Sequence, residues 1–413
     1  MKVWVKLLIG AALGMTIGFL LPSESQNVNA VFQQLEKLAL GMGRYAVIPV
    51  LVFSLTIAIY ELRMDEQFWP MLLKNFLLII TASAFVIFSG IIVTMIFLPK
   101  NFRIPIETVE QLEIINFDPA ANILEIFPSN MFSIISGNGI YLFPVCVFAF
   151  FLSIGLNYDR TYSKSVISLV DSLSRIFYHV ASFFSEILGF IIIVLSAYWA
   201  IRFNGLLQAK VFKDFIVMLG VFSVVLCFGI LPLFLYFLKP KVNPWLILYG
   251  FLGPAITAFF SGDINLSIPV IQRHSKENFG IRRRSSALSL SLFATFCRGG
   301  SAMVAAAAFI VIIKSYSHLS ISSLHLLSIG FRAFVISFLL ARYPGEGAYI
   351  ALAAICLAYP GGEHRASYLI LKPMAFYLVA IGTFIDVMLN AFGAYVIART
   401  NGFIEEKNLV RFI

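Results

Sequence analysis

Apolar stretches of about twenty residues recur along this chain, and that recurrence limits it to a fold that crosses a lipid bilayer several times. They fall near Val3–Leu21, Leu38–Leu62, Met71–Leu98, Ile123–Leu156, Val180–Ile201 and Phe215–Leu238, the fourth being long and broken by Pro128, Gly137 and Pro144. Inside hydrocarbon each backbone N–H and C=O must be paired within the protein, so these stretches read as helices. Composition agrees: 60% of the 413 residues are hydrophobic and 12% charged, against about 25% charged in a soluble domain. The 42 phenylalanines suit faces turned to lipid. No polar linker is long enough to separate soluble units, so residues 1–413 read as one integrated membrane domain, all-α and polytopic. The start, with Lys2 and Lys6 ahead of an apolar run, reads as an uncleaved first span because no clear small-residue cleavage site follows.

The net charge of +9 does not point to nucleic acid. Its cations sit mainly in short loops, where they set orientation. With both termini inside, the inner loops carry Arg63, Arg160, Lys164, Lys239, Lys241, Arg273, Lys276 and Arg282 to Arg284; the outer loops carry Lys100, Arg103, Arg202, Lys210, Lys213 and Lys314. The expected location is the cell (inner) membrane. The four cysteines lie inside apolar stretches without pairing or metal spacing, and the five histidines form no ligand motif. Neither a metal site nor a cofactor is expected, and no nucleophile–base pair suggests an enzyme.

The C-terminal part has a different pattern. Pro244–Val270 holds two apolar arms around Ser261-Gly262-Asp263, and Ser320–Tyr359 holds two more around Arg342-Tyr343-Pro344-Gly345-Glu346-Gly347. Each arm is too short to cross about 30 Å of hydrocarbon, so the arms are expected to form re-entrant hairpins. Ser285–Ile313 is long enough to span but is interrupted by Arg298-Gly299-Gly300, and a last span lies near Leu369–Ala398. This gives eight transmembrane segments and two hairpins. Paired, broken apolar segments mark the central binding region of a transporter, because irregular backbone at membrane depth needs a protein or water-filled environment.

These segments resemble the dicarboxylate/amino acid:cation symporters, the glutamate transporter family. The resemblance lies in Gly43-Arg44-Tyr45 and Pro49 through Leu55, and in Asn122-Ile123-Leu124, Pro128-Ser129-Asn130 and Gly137-Asn138. It continues through Thr257-Ala258-Phe259, Ile268-Pro269-Val270, Glu277 through Ile281, Pro344 through Gly347 and Ala391 through Ala394. It implies a homotrimer with an elevator-type fold. Scaffold elements would occupy about 1–70 and 120–240, and transport elements about 71–100 and 244–400. It further implies secondary active transport, by cation symport, of a small carboxylate-bearing solute (an amino acid or dicarboxylate).

Several positions depart from the family pattern. Where the family reads N-M-D-G-T, this chain has Cys297-Arg298-Gly299-Gly300-Ser301. The substrate-binding aspartates of the last span fall at Ala375 and Val379, and the arginine that pairs with an acidic side chain falls at Gly382, beside a matching Thr383. The asparagine and aspartate near sodium fall at Asp386 and Asn390; Tyr, Thr and Ser of another sodium site fall at Ile79, Ala82 and Ser83. Sodium is therefore expected from the family but opposed by these residues.

The candidate substrate-binding set is Asp263, Asn265, Arg298, Ser301, Arg342, Gly345, Gly347, Thr383 and Asp386; the candidate ion-coupling set is Ser83, Gly299, Asp386 and Asn390. An arginine deep in a span costs about 2.5–3.5 kcal/mol on insertion scales, so Arg298 needs a partner: Asp386, Asp263 or both. Arg342 has two readings, a grip on a substrate carboxylate or an outer-face residue, with Glu346 as its ion-pair partner. A sodium-independent carrier (proton-coupled, exchange or facilitative), or a sensor or anion-conducting pore on the same fold, are the alternatives.

Overall fold

A computed structural model describes residues 2–22, 26–97, 117–137, 139–208, 212–237, 243–316, 322–359, 365–405 and 412. The loop cations Lys100, Arg103, Lys210, Lys239 and Lys241, the family-like Asn138, and the side chain of Arg160 lie outside the described residues. The described chain is all-helical, with one isolated bridge between Ile281 and Ile404 and no strand.

The helices are α1 (Val3–Leu20), α2 (Gln26–Arg44), α3 (Val47–Met64), α4 (Phe68–Ile96), α5 (Pro119–Leu124), α6 (Phe143–Tyr158), α7 (Arg160–Gln208), α8 (Lys213–Val224) and α9 (Leu231–Phe237). They continue as α10 (Pro244–Gly250), α11 (Leu252–Ser261), α12 (Ile264–Glu277), α13 (Arg283–Phe296), α14 (Gly299–Tyr316), α15 (Ser323–Leu339), α16 (Gly347–Ala358) and α17 (Ala375–Thr400). Among the described residues, eight helical stretches are long and apolar enough to cross a membrane, so this is a multi-pass membrane protein.

Two expectations need correction. The stretch Ile123–Leu156 is not a full span: it holds the short α5, a single 3-10 turn at Met131–Ile134, and α6. Pro128 and Gly137 break it, and the 16 residues of α6 give only about 24 Å of helix. Conversely, the first arm of the second hairpin is not too short. A 3-10 turn at Leu340–Arg342 extends α15, and Ser323–Arg342 forms a 20-residue stretch that passes as a span by length and composition. The fifth span is also far longer than its apolar core, since α7 runs 49 residues.

Packing between helices in lipid lacks a hydrophobic drive, so close fit decides which faces meet. On α1, Gly10, Gly14 and Gly18 recur every fourth residue and lie against α7. A Cβ at Gly14 would stand 2.3 Å from the Ile193 carbonyl oxygen, so only glycine permits this approach. Helices α1, α2, α3 and α6 pack with α7, whereas α4, α15, α16 and α17 pack around α14, and α11 and α13 pack on α17; α3 against α13 and α1 against α11 join the two sets. Ala302 through Ile312 of α14 are almost wholly enclosed. Large apolar side chains such as Leu73, Leu77 and Phe85 on α4, and Leu324, Leu327 and Phe331 on α15, are exposed where lipid would lie.

Candidate functional site

The two interrupted pairs bring their turns together. The first, between α11 and α12, turns at Gly262, whose φ of 62° is readily adopted only by glycine. Asp263 then caps α12, its Oδ1 accepting from Asn265 N at 2.8 Å. The second turn, Tyr343 through Glu346, precedes α16. Ile264 N donates to the Pro344 carbonyl at 3.3 Å, so the turns are joined through their backbones.

Arg298 lies at the break between α13 and α14, its side chain only 1% exposed. Its Nε donates to Asp386 Oδ2 at 3.1 Å, and its Nη2 reaches the carbonyls of Tyr343 at 3.3 Å and Pro344 at 3.5 Å. Nη1 has no hydrogen-bond partner. Asp386, on α17, also takes Gly300 N at 2.7 Å, Ser301 N at 3.2 Å and Ser301 Oγ at 2.6 Å. The carboxylate thus sits on the N-terminus of α14, where unpaired N–H groups and the helix dipole favour an anion. A buried charge pair is tolerable only when such extra hydrogen bonds offset desolvation.

Of the two acids expected as partners for Arg298, the structure selects Asp386. Asp263, fully buried, is paired instead with Arg44, whose Nε lies 2.5 Å from Asp263 Oδ2. Arg44 ends α2, and a Cβ at Gly345 would stand 3.5 Å from its Nη2, so one arginine borders both turns. Sequence reasoning misses Arg44 as a site residue. The signal was a cation at the interruption between α2 and α3, inside the apolar stretch Asn27–Met64, where an ionisable residue needs a partner.

The remaining candidates divide. Ser301, Gly299 and Gly347 join Arg298 and Asp386: a Cβ at Gly347 would stand 2.3 Å from Arg298 Nη2, and one at Gly299 would stand 2.7 Å from Ser83 Cα. Ser83 Oγ meets Cys297 Sγ at 3.8 Å. Asn390 faces the same core; with its amide oriented to satisfy both atoms, its nitrogen donates to the Asp386 and Phe293 carbonyls at 3.1 Å. Thr383 Oγ1 donates to Ala258 O at 3.1 Å and Val379 O at 2.8 Å, tying α17 to α11. Asn265 Nδ2 donates to Gly139 O and Ile140 O, both at 2.8 Å, ahead of α6.

Arg342 lies apart from this cluster and does not pair with Glu346. Its Nη1 bonds Asn122 Oδ1 at 3.2 Å and Glu125 Oε1 at 2.8 Å, at and just beyond α5.

Next to the turns lies a cavity of about 480 Å³, bordered by α2, α7 and the start of α17. Arg44, Gly262, Gly345 and Val379 line it on the side of the turns.

Residues 3–400 match the model of the sodium:dicarboxylate symporter family. Among curated proteins, the Caenorhabditis elegans protein named "Putative sodium-dependent excitatory amino acid transporter glt-3" is 29% identical over 167 residues. That match covers 40% of this chain and 30% of the relative, so the chain spans less than a third of that relative's length. With the family model covering nearly all of the chain, and the broken helices meeting around a buried ion pair, the chain belongs to the sodium:dicarboxylate symporter family.

Proposed function

We propose that the chain is a sodium-independent secondary carrier of a small carboxylate-bearing solute, with Arg298 supplying the positive charge that a bound cation supplies in a cation symporter. The observation that carries this reading is the Arg298–Asp386 pair, enclosed on all sides and linked to the second turn through Tyr343 O and Pro344 O. A sodium ion in a membrane interior needs several oxygen ligands, some anionic. Both oxygens of Asp386 are already engaged by Arg298, Gly300 and Ser301, and a guanidinium stands where a further cation would be repelled.

In this reading α11–α12 and α15–α16 act as re-entrant hairpins. They move with α4, α13, α14 and α17 as transport elements, over about 71–100 and 244–400. The scaffold, about 1–70 and 120–240, holds a homotrimer in the cell (inner) membrane with both termini cytoplasmic. Arg44–Asp263 and Asn265–Gly139 cross between scaffold and transport elements, so an elevator movement has to break these contacts.

The test is uptake of labelled carboxylates into proteoliposomes holding the purified protein, compared with counterflow in protein-free vesicles. Saturable, protein-dependent uptake supports the reading; binding without translocation, or unsaturable flux, contradicts it.

A further inference from the structure

The cavity beside the turns carries side chains that its own walls leave without partners. Trp199 Nε1 and Tyr349 Oη are both enclosed donors without an acceptor, and both residues line the cavity. These two atoms are closed to solvent, so the residues meet the cavity with the aromatic faces and edges of their rings. The side chains of Glu36, Glu346 and Lys372 also line it and make no hydrogen bond or ion pair among the described residues. Arg202 completes the charged set, its guanidinium 4.5 Å from the centre of the Phe376 ring.

The rest of the wall is aromatic. Phe259 and Phe260 flank Trp199, with ring centres 5.1 and 5.8 Å away. Ala375 and Val379, both uncharged, also line the cavity and offer no ionic contact. A volume of about 480 Å³ exceeds what a four-carbon dicarboxylate fills and falls in the range of ordinary ligand sites. Two cations, Arg202 and Lys372, are balanced by two carboxylates, Glu36 and Glu346; Arg44 is already matched by Asp263. A dianion would leave both carboxylates opposed, whereas a zwitterion satisfies both signs.

We infer that this cavity takes an aromatic zwitterion, an aromatic α-amino acid. Its carboxylate meets Arg202 and Lys372, its ammonium meets Glu36 and Glu346, and its ring lies among Trp199, Phe259 and Phe260. An ammonium next to an aromatic wall is further held by the ring faces. This assignment deepens the carrier reading by naming its solute class, and rests on that reading for the translocation of the bound solute.

Calorimetry on the full chain in lipid nanodiscs tests it with L-phenylalanine, 3-phenylpropionate, 2-phenylethylamine and L-aspartate as probes. L-phenylalanine is expected to bind at least about tenfold more tightly than each of the others. Glu36→Gln should erase its advantage over 3-phenylpropionate, and Ala375→Trp, which fills the cavity from its wall without altering charge, should abolish binding. Aspartate binding as tightly as phenylalanine, or phenylalanine binding unchanged by Ala375→Trp, overturns the assignment. Uptake separates the two readings. Phenylalanine bound but never transported overturns the carrier and keeps the assignment, and transport of a dicarboxylate without phenylalanine binding overturns the assignment alone.

Discussion

Arg298 on one side of a helix break and Asp386 in the middle of α17 form an ion pair closed off from solvent, 3.1 Å apart. Removing either partner leaves a buried charge uncompensated, which costs about 3–5 kcal/mol. Arg298→Met and Asp386→Asn should therefore each lower the thermal stability of the purified protein strongly. The double variant should recover most of the loss, because no lone charge remains. Additive losses in a double-mutant cycle would show that the pair is not coupled.

Gly347 leaves no room for a side chain beside the guanidinium. Its added Cβ would stand 2.3 Å from Arg298 Nη2 and 3.3 Å from Ser301 Oγ. Gly347→Ala should displace Arg298 from the turn carbonyls and cut uptake at least about tenfold, while overpacking costs about 1–3 kcal/mol of stability. Normal uptake in this variant would mean that the Arg298 position is not critical.

The Arg44–Asp263 contact crosses between α2 and the first turn. Replacing both residues by cysteine removes the two charges together, which avoids an unpaired buried charge. A short thiol crosslinker joining Arg44→Cys to Asp263→Cys should stop uptake, and cleaving the link should restore it. Full uptake by the crosslinked protein would rule out relative movement here.

Arg342 should matter little to solute recognition. It is a third exposed and pairs with the half-exposed Glu125, an arrangement worth about 0–1 kcal/mol. Arg342→Gln is expected to leave solute affinity within about threefold of the parent value. A large rise in the half-saturation concentration would restore the reading in which Arg342 grips a carboxylate.

The helical class and most spans are legible in the sequence because hydrocarbon admits few backbone solutions, and the interruption at Arg298 is visible as a charge inside an apolar run. Which acid answers that charge is not legible. Asp263 and Asp386 are both fully buried, and only the approach of α2 gives Asp263 to Arg44. Element ends are hard for a similar reason. The prolines and glycines that fragment the stretch before α6 are visible in the sequence, whereas the 3-10 turn that lengthens α15 through Arg342 is not reported by periodicity. Thr383 and Asn390 look from the sequence like groups facing a site; their hydrogen bonds run to backbone carbonyls instead, which helix packing decides.

The most direct measurement of the central claim is initial uptake of a transported solute into proteoliposomes with external sodium fully replaced by choline. If Arg298 is the resident cation of the site, uptake is unchanged by the replacement and shows no sodium-dependent accumulation. A fall in uptake that returns with added sodium would contradict the account, and would mean that sodium is held by groups other than the saturated carboxylate of Asp386.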